Sequence, residues 1–146
     1  MAISSCFALA AHALVVLVHE GDRGATSDFI AQSASTHPAR VRRVLAPLGR
    51  QGIVRGKEGS GGGYVLARDP ETITLDEVFE AVESGPVFPV HPRTPSEDCP
   101  VGAQIIPALH ELQTDVDGAV REVLRGRSLA WFVERVLGHE AAALSA

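Results

Sequence analysis

The chain has 146 residues, 45% of them hydrophobic and 21% charged, which is typical of a folded globular protein and excludes a disordered one. The formal net charge of −5 argues against indiscriminate coating of nucleic acid but is compatible with one local basic surface. Two cysteines cannot form a disulfide framework and fit a reducing compartment, so we expect a cytoplasmic protein.

The first predicted helix begins after Ser4 or Ser5, either of which can cap it, and ends near His19. Its apolar run, residues 6–18, is shorter than the about twenty residues of a membrane span and lacks the basic start of a secretory signal. Apolar side chains cover most of its circumference, so we expect burial on several sides. His12 and His19 fit core or partner-facing positions better than metal-ligand positions.

Two short helices follow. Thr26 or Ser27 can cap a second helix over residues 28–33, with Phe29 and Ile30 predicted to face inward. Pro38 suits the first position of a third helix, where its missing N–H costs nothing. That helix carries an apolar stripe consisting of Val41, Val44, Leu45 and Leu48. Pro47 removes a backbone hydrogen bond, so we expect a kink or an end of regular helix near Ala46.

The third helix begins a basic window. Six of the thirteen Lys and Arg residues lie between His37 and Lys57, no Asp or Glu does, and everything outside that window sums to −11. The six are Arg40, Arg42, Arg43, Arg50, Arg55 and Lys57. Most of them fall off the apolar stripe, so the window predicts a local anion-binding surface. The alternative is an ordinary solvated helix face.

A glycine-rich hairpin is predicted next. Residues 53–56 and 64–67 are typical of strands, and four of the five residues 59–63 are glycine, which permits positive φ. A helix followed by a two-stranded flap is the arrangement that a winged helix-turn-helix presents to DNA. A hairpin without contacts is the alternative. A nucleotide-binding phosphate loop does not fit, because Lys57 precedes the glycines and a strand follows them.

The second half is predicted to be helical. Thr74 and Glu77 form a capping box at the start of a fourth helix, and a loop with five prolines and Cys99 spans residues 86–102. A long helix then carries a heptad seam, and a short helix covers residues 128–137. The seam consists of Ile105, Leu109, Leu112, Val116, Ala119 and Val123. Such a seam needs a partner, so we predict a homodimer; the alternative is that the first helix of the same chain covers it.

Residues 26–83 resemble the Rrf-two family of bacterial winged helix-turn-helix transcriptional regulators. The matching segments are TSDFIA from Thr26, residues 38–48, QGIVR from Gln51, GSGGGYVLA from Gly59 and ITLDEV from Ile73. The loop and the long helix match more loosely. The resemblance implies a homodimeric repressor or activator that binds a palindromic DNA operator, with half-sites about 34–36 Å apart.

The resemblance also implies which residues contact DNA. In the family pattern Ala39, Arg40 and Arg43 lie near the start of the recognition helix, where an arginine can pair with guanine. The helix-turn-helix set is Thr26, Ser27, Pro38, Ala39, Arg40, Arg42, Arg43 and Arg50, and the wing set is Lys57, Ser60, Gly61, Gly62 and Tyr64. Tyr64 is expected to anchor the wing to the body or to a phosphate.

Some members of the family hold an iron–sulfur cluster on three closely spaced cysteines in the loop before the long helix. This chain has only Cys99 there, and Cys6 lies in the first helix, whereas a cluster needs about four ligands. We therefore predict a member without a cluster or other cofactor. Cys99 is interpreted either as a redox or electrophile sensor or as an inert thiol.

We therefore predict a mainly α protein with a β-hairpin wing: a winged helix-turn-helix over residues 1–84, a proline-rich loop over 85–103, and a dimerisation helix with a C-terminal helix over 104–146. The predicted function is a homodimeric repressor controlled by a small-molecule or redox effector through the loop and long helix. The alternative is a winged-helix protein–protein adaptor that no longer binds DNA. A hydrolase using Ser60 or Cys99 has no base placed by the sequence, so we expect no enzyme.

Overall fold

The computed structural model describes residues 5–144, apart from the side chains of residues 139–144. The helices are α1 (Cys6–Glu20), α2 (Ser27–Ser33), α3 (Pro38–Arg50), α4 (Leu75–Val82), α5 (Pro100–Arg125) and α6 (Leu129–Leu144). The strands are β1 (Val54–Lys57) and β2 (Gly63–Leu66), and short 3-10 turns cover Gly21–Arg23 and Pro70–Thr72. The residues form two compact units: a winged-helix unit, up to residue 83 and again from 124, and a long-helix unit, residues 84–123.

Helix α1 is the centre of the winged-helix unit. Ala10, Ala13, Leu14 and Leu17 are fully buried, as the apolar run predicts. Alanines on this helix let neighbouring helices approach its backbone closely. Ser5 precedes the helix without a capping hydrogen bond, and Ser4 lies outside the described residues. Helix α1 therefore gains its stability from packing and not from its cap.

The turn between α2 and α3 has a defined geometry. The Thr26 hydroxyl oxygen accepts a hydrogen bond from the Phe29 N–H at 3.1 Å, which confirms Thr26 as the cap of α2. At the other end Ser35 has a φ of +49°, and the Thr36 N–H donates to the Ala31 carbonyl at 2.9 Å. This is the left-handed termination that usually carries glycine, and it turns the chain directly into α3.

Two expectations for these helices are wrong. Phe29 is 48% exposed, because neighbouring positions on a seven-residue helix point about 100° apart and Ile30 takes the core position. Of the two outcomes expected at Pro47, a kink or a helix end near Ala46, the helix end is wrong, because α3 continues through Pro47 to Arg50. Pro47 lies one turn from the helix end, and the Gln51 N–H still donates to the Pro47 carbonyl at 3.1 Å. The proline therefore costs one hydrogen bond without breaking the helix.

The wing is an antiparallel hairpin in which Val54 pairs with Leu66 and Lys57 pairs with Gly63. Its second strand also pairs with the segment before α2, since Ala25 and Tyr64 exchange two backbone hydrogen bonds of 2.9 Å. At this junction a Cβ added to Gly63, whose φ is +128°, would lie 2.4 Å from the Ala25 carbonyl oxygen. Glycine is required there because two backbones meet without room for a side chain.

Helix α4 begins with the predicted capping box. The Glu77 N–H donates to the Thr74 hydroxyl at 3.2 Å, and the Thr74 N–H donates to the Glu77 carboxylate at 2.9 Å. Arg68 adds an ion pair to the same carboxylate at 2.9 Å. The Arg68 hydrogen bond, supported by those from Thr74, outweighs desolvation and lowers the pKa of Glu77.

Replacing Glu77 with Gln is expected to destabilise the protein near neutral pH and to matter less in acid. Because folding lowers the pKa of Glu77, its contribution is present above the ordinary value of 4.5 and is lost as the pH falls through the folded value. Urea unfolding of both proteins between pH 3.5 and 7 would measure the difference. The loss at pH 7 should be about 1 kcal/mol.

The matched control for Glu77→Gln is Glu71→Gln, because the Glu71 side chain is exposed and makes no hydrogen bond or ion pair among the described residues. That variant should follow the wild type at every pH. A Glu77→Gln penalty that stayed constant down to pH 3.5 would contradict the role given to the carboxylate charge.

Helix α6 packs against the N-terminal part of the winged-helix unit, to which it belongs. Leu129 is fully buried, and its N–H donates to the Ile73 carbonyl at 2.8 Å, while the Leu75 N–H donates to the Arg127 carbonyl at 2.9 Å. Asp76, 6% exposed, forms an ion pair with Arg125 at 3.2 Å. The helix runs to residue 144, beyond the predicted end at 137, through an alanine-rich segment that favours helix.

In the long-helix unit the loop folds along α5. The Val87 N–H donates to the Asp117 carboxylate at 2.8 Å, and the Gln113 amide donates to the Phe88 carbonyl at 2.6 Å. Helix α5 begins at Pro100, so residues 100–103 of the predicted loop are helical. Proline is accepted at a helix start, and the Ala103 N–H donates to the Cys99 carbonyl at 2.9 Å. The predicted three-part domain division remains a prediction.

Candidate nucleic-acid interface

Helix α3 separates its apolar and basic residues onto different faces. The predicted stripe is buried, with Val41 and Leu48 at 0% exposure, whereas Arg40, Arg42 and Arg43 are exposed. Ala39 and Arg50 are exposed as well, and Pro38 is the first residue of the helix as predicted. The core therefore fixes the helix through one face and leaves the other, with its arginines, facing solvent.

Two of these arginines are held by serines that precede or begin other helices. The Arg40 guanidinium donates to the Ser5 hydroxyl at 2.8 Å, and the Arg42 guanidinium donates to the Ser27 hydroxyl at 3.0 Å. Both pairs are at the surface. Serine oxygens leave the guanidinium charges uncompensated, so the arginines are oriented without being neutralised.

The remaining arginines of the basic window have no such restraint. Among the described residues, the side chains of Arg43, Arg50 and Arg55 form no hydrogen bond or ion pair within the protein. All three are exposed. An exposed guanidinium without an internal carboxylate partner keeps its donors available for an external anion.

Lys57 has an internal structural role that the sequence did not indicate. Its ammonium donates to the Asp22 carbonyl at 2.9 Å and to the Arg23 carbonyl at 2.8 Å. These carbonyls belong to the 3-10 turn between α1 and α2, so Lys57 ties the base of the wing to that turn. The ammonium still carries its charge, because neutral carbonyls orient it without cancelling it.

The tip of the wing is formed by small residues and one acid. Gly59 and Gly61 have φ values of +100° and +79°, and the Gly62 N–H donates to the Gly59 carbonyl at 3.1 Å. Ser60 is exposed at the turn, as is Glu58. The tip can bring backbone N–H groups close to another surface, but the Glu58 carboxylate would be repelled by a phosphate.

Tyr64 anchors the wing mainly through its backbone. Its N–H and carbonyl both pair with Ala25, and its half-buried side chain packs against the core. The Ala25–Tyr64 hydrogen bonds join the wing to the segment before α2, and the Arg42–Ser27 hydrogen bond joins α3 to the start of α2.

The chain matches the family model Rrf2, described as an iron-dependent transcriptional regulator, over residues 3–135. The chain belongs to the Rrf2 family. As the family and its helix-turn-helix relatives establish, this Rrf2 protein is a DNA-binding transcriptional regulator and not an enzyme. The family that the sequence motifs indicated, and the winged-helix fold expected with it, are confirmed.

Individual relatives agree with this membership. The Rrf2 protein is 36% identical over 128 residues to YwnA of Bacillus subtilis (strain 168), provisionally named an HTH-type transcriptional regulator, with 87% of this chain and 93% of that protein covered. It is 31% identical over 117 residues to the HTH-type transcriptional regulator CymR of the same strain, covering 80% and 78% of the two chains. A solved structure of B. subtilis CymR, described as the global cysteine regulator, superposes with a TM-score of 0.66 at 26% identity, covering 92% of this chain and 98% of that chain.

The family description names iron, but the described residues of this Rrf2 protein do not fit an iron site. The described side chains contain no group of three or more His, Cys, Asp or Glu residues arranged to hold a metal ion. Neither Cys6 nor Cys99 forms a disulfide bond. Cys6 is in the winged-helix unit and Cys99 in the long-helix unit. An iron–sulfur cluster requires about four ligands close together.

Cys99 has a favourable local setting for reactivity. It is exposed and immediately precedes α5, where the backbone N–H groups of Gly102 and Val101 lower the pKa of the thiol. A lowered pKa increases the thiolate fraction near neutrality. Its role as a sensor remains a prediction.

None of the helices within residues 5–144 combines the length and the hydropathy that a membrane span requires.

Proposed function

We propose that this Rrf2 protein is a cytoplasmic, homodimeric repressor that reads a palindromic operator with α3 in the major groove and the wing beside it. The observation that carries the proposal is the exposed arginine face of α3, which lies within 21 consecutive residues, from His37 to Lys57, that contain no acid. Phosphate contacts supply much of the affinity for DNA, and such a face is suited to them.

Each part of the surface has a proposed role. Arg40 and Arg43, near the start of α3, contact base edges or phosphates, and Arg42, held by Ser27, contacts the adjoining phosphate. Pro38 and Ala39 keep the start of α3 narrow enough to enter a groove. Around α3, further proposed phosphate contacts come from the hydroxyls of Thr26 and Ser27 and from Arg50. The wing is proposed to contribute Lys57, Ser60, Gly61, Gly62 and Tyr64.

The homodimer is supported by the long helix. No residue of the 26-residue α5 is buried in the single chain, and within the seam Leu112 is 53% and Val123 61% exposed. Ile105, Leu109, Val116 and Ala119 complete that seam at heptad spacing. Exposed apolar residues repeated along one helix are best covered by a second copy of α5. A two-fold dimer then matches a palindromic site.

The test is a fluorescence anisotropy titration with DNA flanking the protein's own gene, repeated between 50 and 300 mM salt. If about six basic side chains contact phosphates, the slope of log K against log salt should be about −5. A scrambled duplex of the same composition is the control, and it should bind more weakly at every salt concentration. Absence of binding to this DNA and to a random-operator pool would favour the adaptor alternative.

Two further measurements test the proposed repression and the role of Cys99. Transcription in vitro from a promoter that contains the operator should fall when the protein is added, whereas an increase would overturn the repressor assignment. Peroxide treatment tests Cys99: loss of binding that thiol restores, and that Cys99→Ser prevents, would support the sensor interpretation. Unchanged binding would support the inert thiol.

A further inference from the structure

The winged-helix unit contains a pocket that DNA binding does not use. It has a volume of about 500 Å³ and lies between α1, α2 and α6. This volume is within the range of about 300–1,000 Å³ of small-molecule sites. Its walls are mostly apolar, formed by Val15, Val16, Phe29, Phe132, Val136 and Leu137.

Two wall residues of the pocket are exposed in the single chain. Among the described side chains of the winged-helix unit, the exposed large apolar ones are Phe29, at 48%, and Val136, at 45%. Both line this pocket, from opposite helices. Two exposed apolar groups that converge on one concave site are better explained by a ligand than by chance exposure of scattered residues.

Polar groups lie along α1 at both ends of the apolar wall. His12 and His19 are seven positions apart on one face of α1, a separation of about 10 Å. At one end the His12 imidazole nitrogen lies 2.9 Å from the Ser33 hydroxyl oxygen. At the other end Glu20 is paired with Arg23 at 3.2 Å.

The charges around the pocket indicate what kind of polar group it accepts. Ser33 is the last residue of α2, so its end of the pocket carries the partial negative charge of a helix C-terminus. The opposite end carries the Glu20 carboxylate. Because the Glu20 carboxylate is itself paired with Arg23, neither end offers an uncompensated positive charge that would favour an anionic ligand. A neutral hydroxyl can both donate to and accept from the His12–Ser33 pair.

We propose that this pocket binds a small neutral aromatic molecule with one hydroxyl group, the ring lying against Phe29 and Val16 and the hydroxyl at the His12–Ser33 pair. The walls supply apolar contact area for a body of one or two fused rings, and the hydrogen-bonding pair fixes its orientation. All residues that line the pocket belong to the winged-helix unit of one chain, so ligand binding does not depend on DNA or on the proposed repressor function.

The experiment is calorimetric titration of the full chain, without DNA, with three probes: 1-naphthol, 1-naphthoate and 1-methylnaphthalene. We expect 1-naphthol to bind once per chain, and the other two about tenfold more weakly. Ala8→Phe places a ring at an exposed position of the lining, and it should weaken 1-naphthol binding at least tenfold. His12→Phe should remove the preference for 1-naphthol over 1-methylnaphthalene.

The matched control is Ala67→Phe, which adds the same ring at an exposed position that does not line the pocket. It should bind 1-naphthol as the wild type does. Absence of saturable binding, or equal affinity in wild type and Ala8→Phe, would overturn the proposal. Absence of binding together with a change of oligomeric state in Ala8→Phe would also overturn it and assign the surface to a second copy of the chain.

Discussion

Replacement of both Arg40 and Arg43 with alanine is expected to abolish binding to the proposed operator while leaving the fold and the association state unchanged. Both side chains are exposed on α3, so neither contributes to the core, and two lost contacts to bases or phosphates should lower the affinity at least about 100-fold. Anisotropy titration with the operator measures the loss. Circular dichroism and sedimentation should match the wild type.

The control for that double variant removes two other positive charges. Arg93 and Arg135 are exposed, and Arg135 stacks on Trp131 at 4.6 Å, outside the basic window. Replacing both with alanine should change the affinity for the proposed operator less than about threefold, because charges that do not contact the DNA contribute mainly through long-range attraction. Equal losses in the two double variants would show that total charge, and not the α3 face, governs binding.

Gly63→Ala is expected to detach the wing from the body. The φ of +128° is strained for any other residue, and the new Cβ would collide with the Ala25 carbonyl at 2.4 Å. Relief requires loss of the two Ala25–Tyr64 hydrogen bonds, so the free energy of unfolding should fall by about 3 kcal/mol. Thermal unfolding measures the loss, and hydrogen exchange at Ala25 and Tyr64 locates it.

Gly61→Ala separates backbone strain from collision. Gly61 has a φ of +79° but nothing within 4 Å of the added Cβ, so only the strain of about 1 kcal/mol applies. A Gly63→Ala variant no less stable than Gly61→Ala would contradict the close approach of β2 to the segment before α2.

Local chemistry accounts for the parts of this molecule that sequence predicts. The spacing of the apolar residues from Val41 to Leu48 defines α3, and the capping residues Thr74 and Glu77 define the start of α4. In both cases the interacting residues lie within two helical turns of one another. The same holds for the hairpin, whose glycines mark the turn. Arg40, Arg42 and Arg43 are exposed as expected because the buried stripe decides where every other side chain of that helix points.

Contacts between distant residues account for what the sequence missed. Lys57 bonds carbonyls 34 and 35 residues away, and nothing in its neighbourhood distinguishes it from a lysine facing solvent. Hydrophobicity alone predicts that both Phe29 and Ile30 face inward, yet only Ile30 reaches the core, and packing of α2 against α3 decides which of the two does so. Such pairings follow from packing of the whole unit and carry no local signature.

The buried Leu129 has a consequence for how this protein can be divided. Its side chain is fully buried in the hydrophobic core, and its N–H donates to the Ile73 carbonyl. A fragment that ends at residue 84 would leave that space empty, and loss of a buried leucine costs roughly 2–5 kcal/mol. The winged-helix unit is therefore not a portable module that recombination or cloning can take from the N-terminal end, because its last structural piece is encoded after the long helix.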